Sequence, residues 1–392
     1  MLEGRRLWLI GIGGAGMSAY GLLAHAWGAE VGGWDRHETP YLDAVRATGL
    51  EVRVSPEPEA PEEREVFVSS AYRFPGRTRA ELLAELVSLR RSIVVAGAHG
   101  KTTTAAMIAF VLRELGLDPA WLVGAEVPQL GTNAGVGDGW LVVEGDESDR
   151  TIESLRPEIA VITNVDLDHH ATFASLGEVE AVFDRFAEQA QLVVRGAELE
   201  PYRGPLAVPG EHNRRNAAAA LAALEAAGVA RADAERAVAS FRGAGRRLEL
   251  RGEAGGVAVY DDYAHNPAKV AAVLAAAREA RPDGRLLVLF QPHLFSRTRH
   301  SAHELGAALA AADAVAVTDV YPAREQPVDG VSGKLVVEAL AEARPGAAVA
   351  WTPRPEDGVR FLAERARPGD VVLTVGAGDV DRAAPLLLEA LA

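Results

Sequence analysis

The residues best suited to chemistry lie in Gly97-Ala98-His99-Gly100-Lys101-Thr102-Thr103-Thr104. An apolar run, Ile93 to Ala96, precedes them, and apolar residues at helical spacing (Ala105, Met107, Ile108, Phe110) follow. Strand, glycine turn and helix in that order point backbone N–H groups at an anion, with a lysine to neutralise it and a hydroxyl to hold Mg2+. The eight-residue phosphate-loop signature would begin with glycine where Val95 stands, so the motif present is the shorter Gly-x-x-Gly-Lys-Thr. The chain holds three lysines, Lys101, Lys269 and Lys334, and one of them sits in this turn.

Other candidates sit at the ends of apolar runs, where open α/β sheets bind ligands. Glu144 closes Leu141-Val142-Val143 and opens Glu144-Gly145-Asp146-Glu147-Ser148-Asp149. A carboxylate there suits Mg2+, which takes one or two carboxylates plus waters and phosphate oxygens; the competing reading is a solvated acidic loop. In Asp166-Leu167-Asp168-His169-His170, His169 is either polar surface or an imidazole ligand for a second phosphate-bound Mg2+. In His212-Asn213-Arg214-Arg215-Asn216, Asn213 or Glu211 caps the helix that follows, or two amides three apart read an adenine edge; the residues alone favour the cap. Arg246 and Arg247 follow Gly243-Ala244-Gly245, a hinge from which an arginine can swing onto a γ-phosphate. Tyr260 to Pro267 and Gln291 to Arg299 are polar, aromatic-rich segments after strong strands and name no reaction by themselves. No Gly-x-Ser-x-Gly elbow of a serine hydrolase occurs.

The elements that must position these groups alternate strand and helix throughout, which predicts α/β domains with parallel sheets covered on both faces. Leu7 to Ile10 reads as a strand entering Gly11-Ile12-Gly13-Gly14-Ala15-Gly16, then a helix from Met17 and a strand ending at Asp35. That is a dinucleotide-type fingerprint, with Asp35 placed where a carboxylate meets a ribose. Ser69 and Ser70 end another strand with small side chains beside which a ligand can approach. Three domains are expected: 1–91, a Rossmann-like nucleotide-substrate domain; 92–243, a central phosphate-loop domain; and 244–392, a Rossmann-like α/β domain.

Composition narrows the classes. A formal charge of −15 argues against a sequence-independent grip on nucleic acid. The absence of cysteine removes disulfides, thiolate metal sites and thiol nucleophiles. No apolar run approaches the ~20 residues of a membrane span, and the first residues lead into a strand and not a signal segment. A cytoplasmic enzyme of small-molecule substrates, with no membrane insertion, is the expectation.

In this order the motifs resemble the Mur ligase family of peptidoglycan synthesis. The resemblance runs from Gly11–Ser18 through Gly97–Thr104, Glu144–Asp149, Thr163-Asn164 with Asp168-His169, His212-Asn213 with Asn216, and Gly245–Arg247. It continues in Asp261–Tyr263, Phe290–His293 with Ser296–Thr298, Val320–Glu325 and Gly376–Gly378, covering nearly the whole chain. It implies an ATP- and Mg2+-dependent amide ligase that phosphorylates the lactyl carboxylate of UDP-N-acetylmuramate and lets the amino group of L-alanine attack the acyl phosphate. By motif, Gly97, His99, Gly100, Lys101, Thr102 and Thr103 would cradle ATP, with Asn213 and Asn216 on adenine and Arg247 and Asp262 clamping the nucleotide. Thr102 and Glu144 would hold one metal, and His169 would serve the second. His265, His293 and Arg297 would line the amino-acid and acyl-phosphate region. Gly11, Gly13, Gly14, Ala15 and Gly16, with Asp35, Ser69 and Ser70, would hold the UDP part. The lysine that several family members carbamylate has no counterpart, since none lies between Lys101 and Lys269. Ala98 replaces a usual threonine, and Ala264-His265-Asn266-Pro267 replaces a more usual Gly-His-His-Pro. The chain is also short for the family, notably from Ala190 to Pro209. The resemblance is compatible with a monomer or a homodimer. Within the family a ligase for another amino acid or a recycled peptide is the alternative; outside it stand an NAD(P)-dependent oxidoreductase and an inactive nucleotide-binding regulator.

Overall fold

The computed structural model describes residues 2–167, 172–323 and 325–392. It contains three sheets, and each follows the same local physics. Short apolar strands are buried on both faces, and the helices after them carry the chain back over the sheet.

The first sheet pairs five parallel strands in the order Glu51–Val54, Glu30–Asp35, Arg6–Ile10, Glu65–Val68, Arg77–Thr78. Its topological switch point lies at Arg6–Ile10, so the turn at Gly11 opens where strand order reverses. The helix Arg79–Leu89 starts sharply because Thr78 and Glu81 form a reciprocal capping box.

The second sheet runs Leu192–Arg195, Ile159–Ile162, Ser92–Ala96, Leu141–Glu144, Ala120–Val127, Thr132–Gly135. Ser92–Ala96 is its central strand and is buried along its whole length. It feeds the helix Lys101–Glu114, whose buried face runs from Thr102 to Leu112. Thr132–Gly135 pairs antiparallel with Ala120–Val127 at the edge of an otherwise parallel sheet. The third sheet departs in the same way, since Glu249–Ala254 runs antiparallel to Val257–Asp262. Its order is Glu249–Ala254, Val257–Asp262, Val371–Val375, Leu286–Phe290, Ala314–Val317, Ala348–Trp351.

The chain forms two compact units, Met1–Ala207 with Arg214–Arg242, and Val208–Asn213 with Gly243–Ala392. The first unit contains two sheets because one apolar cluster is common to both. It includes Leu9 and Ile12 beside the first sheet, Leu82 and Leu86 of the helix Arg79–Leu89, and Val94, Val143 and Phe183 around the second. In the second unit the third sheet separates two clusters, one with Val270, Leu305 and Leu340, the other with Val359, Leu362 and Leu387. The unit boundary at Gly243 coincides with the glycine-containing stretch read as a hinge.

Candidate active site

The first glycine turn is built around a carboxylate. Gly11 and Ile12 N–H donate to the Trp34 carbonyl at 2.7 and 3.2 Å, which folds the turn onto the neighbouring strand. Asp35, 5 % exposed, takes the Gly13 N–H at 2.7 Å on Oδ2, and the Arg36 N–H and the Tyr72 hydroxyl on Oδ1, both at 2.7 Å. Thr39 Oγ1 donates to the Gly13 carbonyl at 2.7 Å. A Cβ on Gly13 would stand 2.8 Å from Asp35 Oδ2, so only glycine permits this clamp. Asp35 therefore shapes the turn, its two oxygens taking three hydrogen bonds from within the protein. Gly14 is exposed and Ala15 and Gly16 half-buried at the start of the helix Ala15–Ala26. Ser69 N–H donates to the Ile10 carbonyl at 3.0 Å, and Ser70 beside it is exposed. Tyr72, which no motif singles out, presses edge-on against Trp34 at 5.1 Å.

The second turn is built around an amide. Asn164 Oδ1 accepts the His99 N–H and its Nδ2 donates to the His99 carbonyl, both at 2.9 Å. Thr163 Oγ1 donates to the same carbonyl at 2.6 Å. Gly100 has φ +82° at the head of the helix Lys101–Glu114, and a Cβ there would meet Asn216 Oδ1 at 2.1 Å. Glycine is thus required twice over, by conformation and by the approach of Asn216. Lys101 Nζ donates to the Gly97 carbonyl at 2.7 Å and to both oxygens of Glu147 at 2.8 and 3.0 Å. The carboxylate is 2 % exposed and the lysine side chain 15 %. A buried pair of this kind adds little net stability, because desolvation offsets the attraction; its effect is to hold the ammonium in place over the turn. Glu147 was visible in the sequence only as one member of an acidic run.

Thr102 Oγ1 donates to Glu144 Oε1 at 2.9 Å, and the Gly124 N–H donates to Glu144 Oε2 at 2.6 Å. A hydroxyl and a carboxylate at the mouth of a phosphate-binding turn form the hard oxygen donor set that Mg2+ prefers, with water and phosphate completing its shell. Among the described residues no group of three or more His, Asp or Glu gathers to hold a metal by itself. His169, with Asp168 and His170, lies outside the described residues. Thr103 is buried on the same helix.

Asn213 lies inside the helix Glu211–Ala226, not before it. Its side chain donates to the Pro209 carbonyl at 2.7 Å, and its N–H to the Gly210 carbonyl at 3.0 Å. Neither Asn213 nor Glu211 is the cap, since the turn into the helix is made at Gly210, with φ +98°.

In the second unit the polar segments gather at the carboxyl ends of the third sheet. Asp262 is fully buried, with Leu248 and Ala264 N–H donating to its two oxygens at 2.7 Å each. Burial pushes its carboxyl up to about 6, and the Arg247 charge pulls the other way. A carboxylate with both oxygens on backbone N–H groups positions the segment that carries Arg247. Arg246 ties Asp261 (2.9 Å) to the carbonyls of Gly376 (2.7 Å) and Gly378 (2.9 Å). Arg246 and Arg247 both lie over the Tyr263 ring, at 5.2 and 5.1 Å.

His265, His293, Arg297 and Tyr321 form one cluster. The His265 and His293 rings are 5.9 Å apart, His293 stacks on Tyr321 at 5.8 Å, and Arg297 Nη1 lies 3.2 Å from His293 Nδ1. Burial, then the charges of Lys269 and Arg297, hold the His265 imidazole well below its ordinary range, so it is neutral. Tyr321 and Gln291 press against Gly378, where any Cβ would meet them at 2.3 to 2.7 Å.

The first unit thus presents two glycine turns on α/β sheets, one of them with Lys101 and the Thr102–Glu144 pair beside it, a donor set that suits phosphate groups. Three profiles of one family match in order: the Mur ligase family catalytic domain at residues 7–91, the Mur ligase middle domain at 95–195, and the Mur ligase glutamate ligase domain at 246–378. The chain belongs to the Mur ligase family. The UDP-N-acetylmuramate–L-alanine ligase of Streptomyces coelicolor is 40% identical, over 97% of this chain and 96% of that one. The enzyme of the same name from Rubrobacter xylanophilus is 40% identical over 98% and 99%. Among solved structures, the UDP-N-acetylmuramate–alanine ligase MurC of Thermotoga maritima superimposes with a TM-score of 0.80 at 26% identity, covering 98% of each chain.

Proposed function

We infer that the chain is an ATP-dependent ligase joining L-alanine to the lactyl carboxylate of UDP-N-acetylmuramate, a step in making the peptidoglycan precursor. The observation that carries this reading is the phosphate turn with Lys101 and the Thr102–Glu144 pair on one strand–helix corner, within a chain similar over its full length to ligases of that name. The domains we assign are 1–91 for the sugar nucleotide, 92–243 for ATP and 244–392 for the amino acid.

The chemistry proceeds in two transfers. A lactyl carboxylate oxygen attacks the γ-phosphorus of ATP; the bond to the bridging oxygen breaks and ADP leaves, giving an acyl phosphate. The α-amine of L-alanine, neutral on attack, then adds to the acyl carbon. The tetrahedral intermediate expels inorganic phosphate as the nitrogen loses its proton. Phosphoryl transfer depends mainly on positioning and charge neutralisation. Lys101 serves both on the β- and γ-phosphates, with the N–H groups of Gly97 to Thr103 around it. Mg2+, held by Thr102 and Glu144 when bound, would neutralise charge developing on the phosphate oxygens; His169 is assigned to a second ion.

Asn213 and Asn216 are assigned to adenine and Arg247 to the phosphates. Arg297 pairs with the amino-acid carboxylate, for which a guanidinium fork is suited. His265, neutral and beside Arg297, is available as proton acceptor on the amine side. The glycine turn at Gly11–Gly16 with Ser69 and Ser70 holds UDP, and Asp35 keeps that turn in shape. No described helix is long and apolar enough to cross a membrane; we place the enzyme in the cytoplasm, where ATP and sugar nucleotides are made, as a monomer or homodimer. Mass spectrometry of the products from UDP-N-acetylmuramate, ATP, Mg2+ and mixed amino acids tests the reading. The expected product carries L-alanine; a product carrying another amino acid, or activity confined to peptides, would replace it with the sister-ligase reading.

A further inference from the structure

The segment that carries His293 and Arg297 holds one residue in a strained backbone. Leu294, between the strand Leu286–Phe290 and the helix Phe295–Leu309, has φ +68° and ψ 134°. A bulky side chain rarely sits at a positive φ, and the conformation persists only where neighbours impose it. Hydrogen bonds on both sides do so here. The Leu294 N–H donates to the Tyr321 carbonyl at 2.9 Å, and the Tyr321 N–H returns to the Pro292 carbonyl at 2.8 Å. The Leu294 carbonyl accepts the Thr298 N–H at 3.0 Å and the Thr298 hydroxyl at 2.8 Å. Thr298 is 1% exposed. A threonine bonding the carbonyl four residues back is ordinary inside a helix; this carbonyl belongs to a residue outside helical geometry. His293 lies before the turn and Arg297 after it, so the 3.2 Å approach of Arg297 Nη1 to His293 Nδ1 depends on the conformation of Leu294.

We propose that Thr298 is a positioning residue for the amino-acid substrate: its hydroxyl holds Leu294 in this conformation, and Leu294 in turn aims Arg297 beside His293. This rests on the reading of His293 and Arg297 as the amino-acid site. A guanidinium fork pairs bidentately with a carboxylate only when its plane and distance are right. A small rotation of the turn therefore costs amino-acid affinity first. Thr298 touches no substrate in this scheme, and its influence passes through one carbonyl oxygen.

Steady-state kinetics of the full chain, with each substrate varied in turn, tests this as a double-mutant cycle. Thr298→Val keeps the shape and loses the hydroxyl. It should raise the KM for L-alanine about tenfold, with the KM values for ATP and UDP-N-acetylmuramate within about twofold of the parent. Thr298→Ser, which keeps the hydroxyl, should stay within about threefold for all three. In a Leu294→Gly background, Thr298→Val should raise the L-alanine KM no more than about twofold, because glycine takes the positive φ unaided. An unaltered L-alanine KM in Thr298→Val, the same rise in both backgrounds, an equal rise for all three substrates, or Thr298→Ser as impaired as Thr298→Val would overturn the proposal. If Thr298→Val alone fails to fold, the proposal requires the double variant to fold, and failure of both would overturn it. An Arg297→Lys variant with the parent's L-alanine KM would instead remove the amino-acid reading on which the proposal stands.

Discussion

The two glycine turns of the first unit share a layout and differ in what anchors them. Each follows a buried central strand and starts a helix. At Gly13 the anchor is the Asp35 carboxylate; at His99 it is the neutral Asn164 amide. The first turn and the helix after it contain no lysine, while the second turn is followed by Lys101 and by Thr102, which donates to Glu144. The difference teaches that a fold can tune equivalent turns by the charge beneath them. A neutral anchor beside a lysine suits a triphosphate. A buried carboxylate fixes a turn firmly but adds negative charge beneath it.

The comparison can be broken first at the lysine. Lys101→Ala should lower kcat by about three orders of magnitude, as expected for loss of a preorganised charge at the transferred phosphoryl group, with affinity for UDP-N-acetylmuramate within twofold of the parent by calorimetry, on the order of experimental error. Parallel loss of both would contradict the separation of the two turns. Asn164→Asp tests the anchor itself. It keeps the acceptor for the His99 N–H but adds charge and removes a donor, so the KM for ATP should rise roughly 10- to 100-fold, equivalent to 1.4–2.8 kcal/mol. An unchanged KM would mean that anchor charge is immaterial.

Smaller effects sharpen the picture. Arg297→Lys should raise the KM for the amino acid about tenfold and that for ATP far less, because a point charge replaces a planar fork; steady-state kinetics with each substrate varied decides it. Asp35→Asn should destabilise the chain by about 1–3 kcal/mol in urea titrations, since its amide cannot accept on both atoms.

Protonation gives the finest probe, with opposite signs at two residues. The unfolded chain takes up a proton at His265 near 6.5, whereas the folded chain resists it, so the parent loses stability as pH falls below about 6.5. Relative to His265→Asn, its Tm should therefore drop between pH 7 and 5. Asp262 is raised to about 6 from 3.8, so the folded chain keeps a proton that the unfolded chain has released. Its contribution is present at low pH and lost as pH rises through that window, and relative to Asp262→Asn the parent should gain Tm on acidification. Equal slopes in both comparisons would show that burial does not govern these groups.

Much of this was legible in the sequence because apolar runs of four or five residues ending in glycine are distinctive. The strands Arg6–Ile10 and Ser92–Ala96 and the helices Ala15–Ala26 and Lys101–Glu114 fall where the apolar pattern puts them. The edge strands Leu192–Arg195, Glu249–Ala254 and Ala348–Trp351 were not visible. Their side chains are largely exposed or half-buried, so pairing and not a hydrophobic pattern defines them. In the candidate site, residue types and spacing single out Lys101, Thr102 and Glu144. The contacts that Asp35, Asp262 and Asn213 make with backbone groups are ones that sequence does not display. Glu147 and Tyr72 make contacts with residues far away in the chain, which spacing cannot encode.

The central claim is that ATP activates the sugar-nucleotide carboxylate as an acyl phosphate. Oxygen-18 placed in the lactyl carboxylate of UDP-N-acetylmuramate follows that oxygen through turnover. The account predicts that the inorganic phosphate released with L-alanine present carries one labelled atom from the carboxylate. Phosphate free of the label, with amide still formed, would contradict it.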